Sequence, residues 1–154
     1  MYHHGVSETP IILRPIGRVK SPVKDTPKPE HDWRGIVSEI IIEPRLAAGL
    51  KGLDKYSHIL VIYWADRATD PADMAFSVRY KGNPEYPMVG VFASRSPYRP
   101  NPLCQKVARL LKLKRNNLKV EGLDALDGTP VLDIKPYIPG YDSAEGATSP
   151  QWDK

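Results

Sequence analysis

The sequence predicts a mostly β protein, in which short strands joined by stiff loops form a barrel or a sandwich. Sixteen of the 154 residues are proline, about double the usual ~5% share, and they are so scattered that no long helix fits between most of them. The segments between the prolines are rich in Ile, Val, Leu and Tyr, which favour β-strands. The chain is 41% hydrophobic, enough for a core, and its length suits one domain.

Runs of β-branched and aromatic residues between turn signals mark the strands. In chain order, the predicted strands are residues 11–20, 35–43, 56–65, 88–94, 103–113, 118–123 and 131–134. Pro15 confines the first of them to an edge or a bulge. The run 56–65 is the most apolar and predicts a central strand buried on both faces. Residues 103–113 fit helical as well as strand spacing, and the turn signal at 115–117 favours a hairpin, hence a strand.

Proline also places two short helical segments. Pro44 permits a helix over 45–50, and Asp70 followed by Pro71 is a plausible start for one or two helical turns through Ser77. The chain as a whole is then expected to divide into three parts. These are a loose arm over 1–10, a folded domain over 11–142 and a polar, frayed tail over 143–154.

Several classes of protein are excluded by what the sequence lacks. No apolar run approaches the ~18 residues that span a bilayer, and the N-terminus does not resemble a secretory signal. The single cysteine, Cys104, gives neither an internal disulfide nor a zinc framework. The four histidines show no metal-ligand spacing, and there is no phosphate-binding Gly-rich loop, nucleophile elbow or dinucleotide fingerprint. We therefore expect a cytoplasmic protein with no membrane and no metal.

Two segments concentrate residue types that could form a site. Residues 95–102, Arg-Ser-Pro-Tyr-Arg-Pro-Asn-Pro, are stiffened by three prolines, and their two guanidinium groups suit a carboxylate or a phosphate. A structural turn with solvated arginines explains the same pattern equally well. Residues 122–137 carry Asp124, Asp127 and Asp133 around a tight turn. Such acids are either site carboxylates or structural groups with partners, and taken alone the pattern favours the structural role.

Basic residues permit a polyanionic partner without demonstrating one. The net charge is +4, and residues 109–117 hold four basic side chains and no acid. By sign alone, four side chains are candidates for phosphate contacts: Arg99, Lys112, Lys114 and Arg115.

Four segments together resemble the TsaA-like family, the tRNA methyltransferase O group. In order, they are residues 16–22, 56–58, 90–102 (Gly-Val-Phe-Ala-Ser-Arg-Ser-Pro-Tyr-Arg-Pro-Asn-Pro) and 123–137. The resemblance covers roughly residues 12–142. It implies a single-sheet β-barrel and an S-adenosylmethionine-dependent methyltransferase that acts as a homodimer. The reaction implied is N6-methylation of threonylcarbamoyladenosine beside the anticodon of tRNA.

The resemblance also implies which residues contact the cofactor. Arg95 is the strongest match, and the others are Asp66, Arg67, Gln105, Glu121, Gly122, Leu123, Asp124, His31, Asp32 and Trp33. Our hypothesis is that Arg95 pairs with an anionic group of S-adenosylmethionine, while Asp124 or Asp66 meets its ammonium group or its ribose. For one cofactor to contact both segments, residues 95–102 and 122–124 must face one another.

The acceptor and the catalytic residue stay open at this point. Asn101, followed by Pro102, is a faint analogue of the Asn/Asp-Pro-Pro-aromatic loop with which unrelated adenine-N6 methyltransferases hold an amine, and it is equally a turn former. The chain also resembles the short form of the family, without a further C-terminal domain. The alternative function is therefore an S-adenosylmethionine-binding or RNA-binding barrel module with another acceptor or no catalysis.

Overall fold

A closed six-stranded antiparallel barrel forms the body of the protein in the computed structural model, which describes residues 9–28, 31–70, 72 and 74–153. The strands are β1 (Gly17–Lys20), β2 (Val37–Ile42), β3 (His58–Trp64), β4 (Ser77–Arg79), β5 (Met88–Gly90), β6 (Leu103–Lys114), β7 (Asn117–Glu121) and β8 (Pro130–Pro136). The barrel order is β1-β2-β7-β6-β3-β8, and β8 pairs with β1 to close it. Strands β4 and β5 form a separate two-stranded sheet. The predicted mostly β fold with a single-sheet barrel is confirmed.

Helical segments are short. The one α-helix of the described residues is α1 (Pro139–Asp142). Turns of 3-10 helix occur at Pro44–Leu50, Leu53–Lys55, Asp66–Ala68, Tyr80–Gly82, Val91–Ala93 and Gln151–Asp153. The first of them corresponds to the helix predicted over 45–50.

Alternation along the strands fills the barrel with aliphatic side chains. In β3, Ile59, Val61 and Tyr63 are buried, whereas the side chains between them are half-buried. The prediction of a strand here is confirmed, but burial on both faces is wrong, because the barrel has only one interior and the outer face stays partly open. The remaining members of the core are Val19, Ile40, Ile42, Leu50, Ala108, Leu118, Val120, Leu123, Ala125 and Val131.

Two local features fix the strand pairing. Gly17 leaves room for the backbone of β2, because a Cβ at this position would collide with the carbonyl oxygen of Ile41. Arg115 (φ 56°) and Asn116 make the two-residue turn between β6 and β7. The hairpin predicted from the 115–117 turn signal is confirmed, and with it the strand assignment of residues 103–113.

Some predicted element boundaries are wrong. The first strand begins at Gly17 and not at residue 11, since residues before Pro15 find no partner strand. The strand predicted over 88–94 ends at Gly90 and passes into a 3-10 turn. The predicted helical turns over 70–77 include Pro71 and Asp73, which lie outside the described residues, and Ser77 belongs to β4.

The antiparallel order sorts the connections between the two ends of the barrel. At one end, called here the upper end, lie the connections 21–36, 65–102 and 122–129. At the other, the lower end, lie the connection 43–57 and the two-residue turn after β6. Three connections far apart in the sequence therefore meet at the upper end.

Candidate functional site at the upper end of the barrel

The loop that precedes β6 is held in shape by its own side chains. Arg99 donates from Nη1 to the carbonyl oxygens of Ser94 and Ser96, at 3.5 and 3.4 Å. The Ser94 hydroxyl in turn donates to the carbonyl of Val91 at 2.8 Å. The Arg99 guanidinium also lies 5.9 Å from the centre of the Phe92 ring. Arg99, a predicted phosphate contact, thus has a structural role in this loop.

Arg95, at the start of the same loop, has an exposed side chain. No hydrogen bond or ion pair engages its guanidinium among the residues described. Asn101 is also exposed, and its carbonyl oxygen accepts from the amide of Leu103 at 2.7 Å. The loop ends beside the end of β3, because the amide of Ala65 donates to the carbonyl of Pro102 at 2.9 Å. This bond brings the exposed Asp66 and Asn101 to one corner of the barrel.

Asp124 contacts side chains of the neighbouring strands β3 and β6. The hydroxyl of Tyr63 donates to Oδ1 of Asp124 at 2.8 Å, and Nζ of Lys106 is 3.6 Å from Oδ2. Burial, together with the Asp124 charge, raises the pKa of the Tyr63 hydroxyl, so it remains a hydrogen-bond donor. Tyr63 and Lys106 were not among the residues predicted from the sequence. No pattern in the sequence marked either residue as part of a site.

Cys104 links the two predicted segments. Burial raises the pKa of its thiol, the Asp124 charge raises it further, and the Arg99 charge opposes them. Cys104 pairs with Tyr63 in the β3–β6 ladder. The proline-rich loop and the 122–124 segment therefore reach the same pair of strands at the upper end.

Arg67 ties two upper-end connections together. It donates to the carbonyl oxygens of Lys24 and of Asp127, the latter at 3.1 Å. Oδ1 of Asp127 accepts from the amide of Ser21 at 2.9 Å. The Arg67 guanidinium, predicted to contact the cofactor, is thus engaged in holding loops around the site.

The 121–124 segment combines a fixed backbone with open space. Gly122 has φ +82°, which favours glycine, and a Cβ there would meet nothing within 4 Å. Leu123 is fully buried and fixes the segment to the core. Glu121 forms an ion pair with Arg109 at 3.7 Å. Gln105 is exposed on the outer face of β6, opposite Ile62.

The 31–33 segment also lies at the upper end. The His31 and Trp33 rings meet edge to face at 4.8 Å. Nε2 of His31 is buried and has no hydrogen-bond partner among the described residues. Asp32 is paired with Arg34 at 3.0 Å, and the hydrogen bonds from Arg34 lower the pKa of its carboxyl group.

Other predicted residues lie at the lower end. Lys112, Lys114 and Arg115 occupy the last part of β6 and the following turn. At about 3.3 Å per residue, Lys112 is about 30 Å of strand away from Leu103. Asp133 forms an ion pair with Lys135 at 2.6 Å and lines a cavity of about 500 Å³ beside the 44–56 connection.

The part of the chain that the structure describes contains no group of three or more His, Cys, Asp or Glu side chains placed to hold a metal ion. In the same residues, no helix has the length and apolar character to cross a membrane.

Known proteins resemble this chain in sequence and in structure. The "S-adenosyl-L-methionine-binding protein" of Archaeoglobus fulgidus is 44% identical over 135 residues, which cover 86% of this chain and 93% of that protein. A "Probable S-adenosyl-L-methionine-binding protein" of the same organism is 44% identical over 137 residues, 88% of this chain. A crystal structure of TrmO from Pseudomonas aeruginosa superposes with a TM-score of 0.75 at 28% identity and covers 97% of this chain.

These proteins differ in length. The chain spans 36% of the second Archaeoglobus protein and 65% of the Pseudomonas TrmO chain. The model of the tRNA-methyltransferase O N-terminal domain matches residues 19–143, which include the barrel except the first two residues of β1, and all three upper-end connections. On this match, and on the relative that it resembles over nearly its full length, the chain belongs to the family of tRNA-methyltransferase O N-terminal domains.

Proposed function

We propose that this chain binds S-adenosylmethionine at the upper end of the barrel and methylates tRNA, at N6 of threonylcarbamoyladenosine beside the anticodon. The observation that carries the proposal is topological. The antiparallel barrel brings the 31–33, 66–67, 95–102 and 122–124 segments to one end, although up to 93 residues separate them in the sequence. The same assignment is supported by a relative named for binding of S-adenosylmethionine and by a family named for a tRNA methyltransferase.

The residues of the upper end fit such a cofactor. Arg95 is exposed and has no partner among the described residues, so it is available to a carboxylate. Asp66 is the freer of the two acids for an ammonium or ribose group, because Asp124 is already engaged by Tyr63 and Lys106. The open space over Gly122 leaves its backbone accessible to an adenine ring. The orphaned Nε2 of His31 is a further polar atom that a ligand would satisfy.

Catalysis in this proposal depends on the relative placement of the methyl donor and the acceptor nitrogen. When bound, S-adenosylmethionine supplies an electrophilic methyl group on a sulfonium cation. The side-chain oxygen of Asn101 accepts a hydrogen bond from the N6–H group of the acceptor and orients the nitrogen. As the N–CH3 bond forms and the S–CH3 bond breaks, the N6 proton is released to water. Exposed carboxylates such as Asp66 favour the cationic donor over a neutral product. Positioning and charge placement supply the rate enhancement without a strong base.

We also propose that two copies of the chain pair through the region around the proline-rich loop, called here the hairpin–loop region (residues 74–102). Phe76 and Phe92 are 75% and 77% exposed, and Met88 and Tyr98 of the same region are exposed as well. Exposed aromatic and aliphatic groups gathered next to a site are typical of a contact surface. A second copy would cover these groups and exclude water from the upper end. With tRNA as the substrate, the protein acts in the cytoplasm.

The decisive experiment compares Arg95→Ala with Arg14→Ala, a second exposed arginine outside the proposed site. Calorimetry with S-adenosylmethionine is expected to show about 10- to 100-fold weaker binding for Arg95→Ala, because a charge-assisted hydrogen bond is lost. Arg14→Ala is expected to bind as the unmodified protein does. An unchanged affinity of Arg95→Ala removes this residue from the site.

The acceptor is tested separately by transfer of a labelled methyl group into bulk tRNA, followed by nucleoside analysis. Label in the N6-methylated threonylcarbamoyladenosine is expected. Label in another nucleoside contradicts the proposed acceptor. Cofactor binding without any transfer identifies the chain as a binding module.

A further inference from the structure

The segment that follows β8 places a carboxylate, that of Asp153, against the hairpin–loop region. The carboxylate of Asp153 accepts from the hydroxyl of Tyr80 at 2.5 Å and lies 3.0 Å from Nζ of Lys81. The ring of Trp152 meets the Tyr80 ring at 4.6 Å between centroids. These contacts do not fit the frayed tail expected from the sequence. The Trp152–Asp153 pair is docked on a site made by the turn between β4 and β5.

The docking site is built from a cation, a hydroxyl and aromatic faces. Nζ of Lys81 lies 5.2 Å from the centre of the Tyr80 ring, and the Tyr86 ring lies 5.9 Å from Tyr80. Lys81 has φ +51° and ψ 17°, a left-handed conformation that is unfavourable for a residue with a side chain. This conformation fixes where the lysine projects, at a cost that glycine would avoid.

The electrostatics of the site favour an anion. The hydrogen bond from Tyr80, and then that from Lys81, lower the pKa of Asp153. The positive charge of Arg95 opposes the increase that Asp153 causes in the pKa of Tyr80. The amide of Ala75, just before β4, donates to the carbonyl of Tyr98 at 3.4 Å, so the sheet that carries the anion site contacts the loop that begins at Arg95.

We propose that Tyr80 and Lys81 bind a phosphate of single-stranded RNA, and that Asp153 occupies this position in cis until RNA displaces it. A phosphate offers the same oxygen acceptors as the Asp153 carboxylate and carries its charge. Tyr80 and Tyr86 provide rings on which an adjacent base can stack, the usual partner of a phosphate contact in recognition of single strands. The ring of Trp152 covers Tyr80 when Asp153 is bound. The RNA as ligand rests on the proposed function, whereas the site and its cis occupant do not.

The first test is binding of a fluorescein-labelled RNA octamer of mixed sequence by fluorescence anisotropy, without cofactor. Asp153→Asn is expected to bind about three- to tenfold more tightly than the unmodified protein, because an intramolecular competitor is weakened. Glu145→Gln is the matched control. It removes the same charge from the same exposed segment and is expected to give less than half of that gain in affinity.

A second variant ties the gain to the site. Lys81→Gly removes the cation and suits the left-handed backbone, so it is expected to fold. Combined with Asp153→Asn, it is expected to abolish the gain. A gain for Glu145→Gln of half or more of that for Asp153→Asn, or a gain that survives Lys81→Gly, would overturn the proposal. So would a tighter binding of S-adenosylhomocysteine, with RNA affinity unchanged, because the site would then receive the carboxylate of a cofactor.

The outcome is separable from that of the proposed function. Octamer binding requires no methyl transfer. A gain for Asp153→Asn in a protein that transfers no methyl group to tRNA would leave the anion site standing and overturn the enzymatic assignment. Methyl transfer to tRNA, with no gain in octamer affinity for Asp153→Asn, would support the enzymatic assignment and overturn the anion site.

Discussion

The interior of the barrel and the hairpin–loop region contain the same kinds of apolar side chain in opposite environments. Ile59, Val61 and Leu118 are completely buried between paired strands, whereas Phe76 and Phe92 are about three-quarters exposed. Burial of a large apolar side chain contributes about 1.5–3 kcal/mol to folding, and an exposed one contributes little. The barrel side chains therefore account for stability, and those of the hairpin–loop region require another explanation.

The difference extends to the backbone. Closure of the barrel leaves its six strands without an open edge. Strands β4 and β5 are three residues each, and an isolated two-stranded sheet is at best marginally stable. It is attached to its surroundings by the hydrogen bond from the amide of Ala75 to the carbonyl of Tyr98 at 3.4 Å and by the contacts of Tyr80 and Lys81 with the docked Trp152 and Asp153. A closed scaffold thus carries a weakly held region, which is the arrangement that a ligand or a second subunit can complete.

The largest expected effect separates the two regions by stability. Ile59→Ala removes buried methyl and methylene groups from the barrel, and we expect it to lower the free energy of unfolding by about 2–5 kcal/mol. Phe76→Ala, in the hairpin–loop region, is expected to change it by less than about 0.5 kcal/mol. Urea denaturation followed by circular dichroism measures both. Comparable losses would mean that Phe76 contributes to the same cooperative core.

A smaller effect is expected on self-association. Phe76→Ser combined with Phe92→Ser removes the two most exposed aromatic side chains of the proposed dimer surface and is expected to weaken the dimer at least about tenfold. Sedimentation velocity over a range of concentrations measures the dissociation constant. The control is Ile11→Ser with Ile12→Ser, two residues that are also strongly exposed but lie before β1. A dimer weakened equally by both pairs, or by the control alone, would place the interface elsewhere.

The sequence predicted the barrel well because the evidence for each strand is local. The β-branched run in 35–43 and the turn signal at Arg115 and Asn116 each depend on a few neighbouring residues, and the structure contains the corresponding strand β2 and the β6–β7 hairpin. Strand β4 was missed because three residues give no period to detect. The family resemblance supplied the closure of the strands into one barrel, which no local pattern contains.

The contacts within the predicted site could not be predicted from local patterns of this kind. Charge selected Arg99 and the family resemblance selected Arg67, but in the structure both guanidinium groups bind backbone carbonyls. The partners of Asp124, Tyr63 and Lys106, lie 61 and 18 positions away in the sequence, and their meeting depends on strand register. The docking of Asp153 on Tyr80 likewise spans 73 residues. Contacts of this kind are set by the closed topology and not by any pattern in the neighbouring sequence.

The smallest expected effect concerns the pH range over which Trp152 stays docked. The pKa of Asp153 is lowered below its ordinary 3.8, so its contribution is complete above that value and is lost as the pH falls through the lowered pKa. The pKa of Tyr80 and that of Lys81 are raised above 10.0 and 10.5. Their contributions are therefore complete below pH 10 and are lost as the pH rises through the raised values.

The indole N–H resonance of Trp152, assigned with Trp152→Phe, reports docking across this range. We expect it to be unchanged between about pH 5 and 9 and to shift outside these limits, and the acid transition is expected to disappear in Asp153→Asn. A transition near neutral pH would contradict the assignment, because none of the three groups titrates there. Since physiological pH does not release Asp153, the site opens only when another anion competes for Tyr80 and Lys81. Binding of that anion, and not a change of pH, then determines whether Trp152 and Asp153 stay docked on the hairpin–loop region, while the barrel stays unchanged.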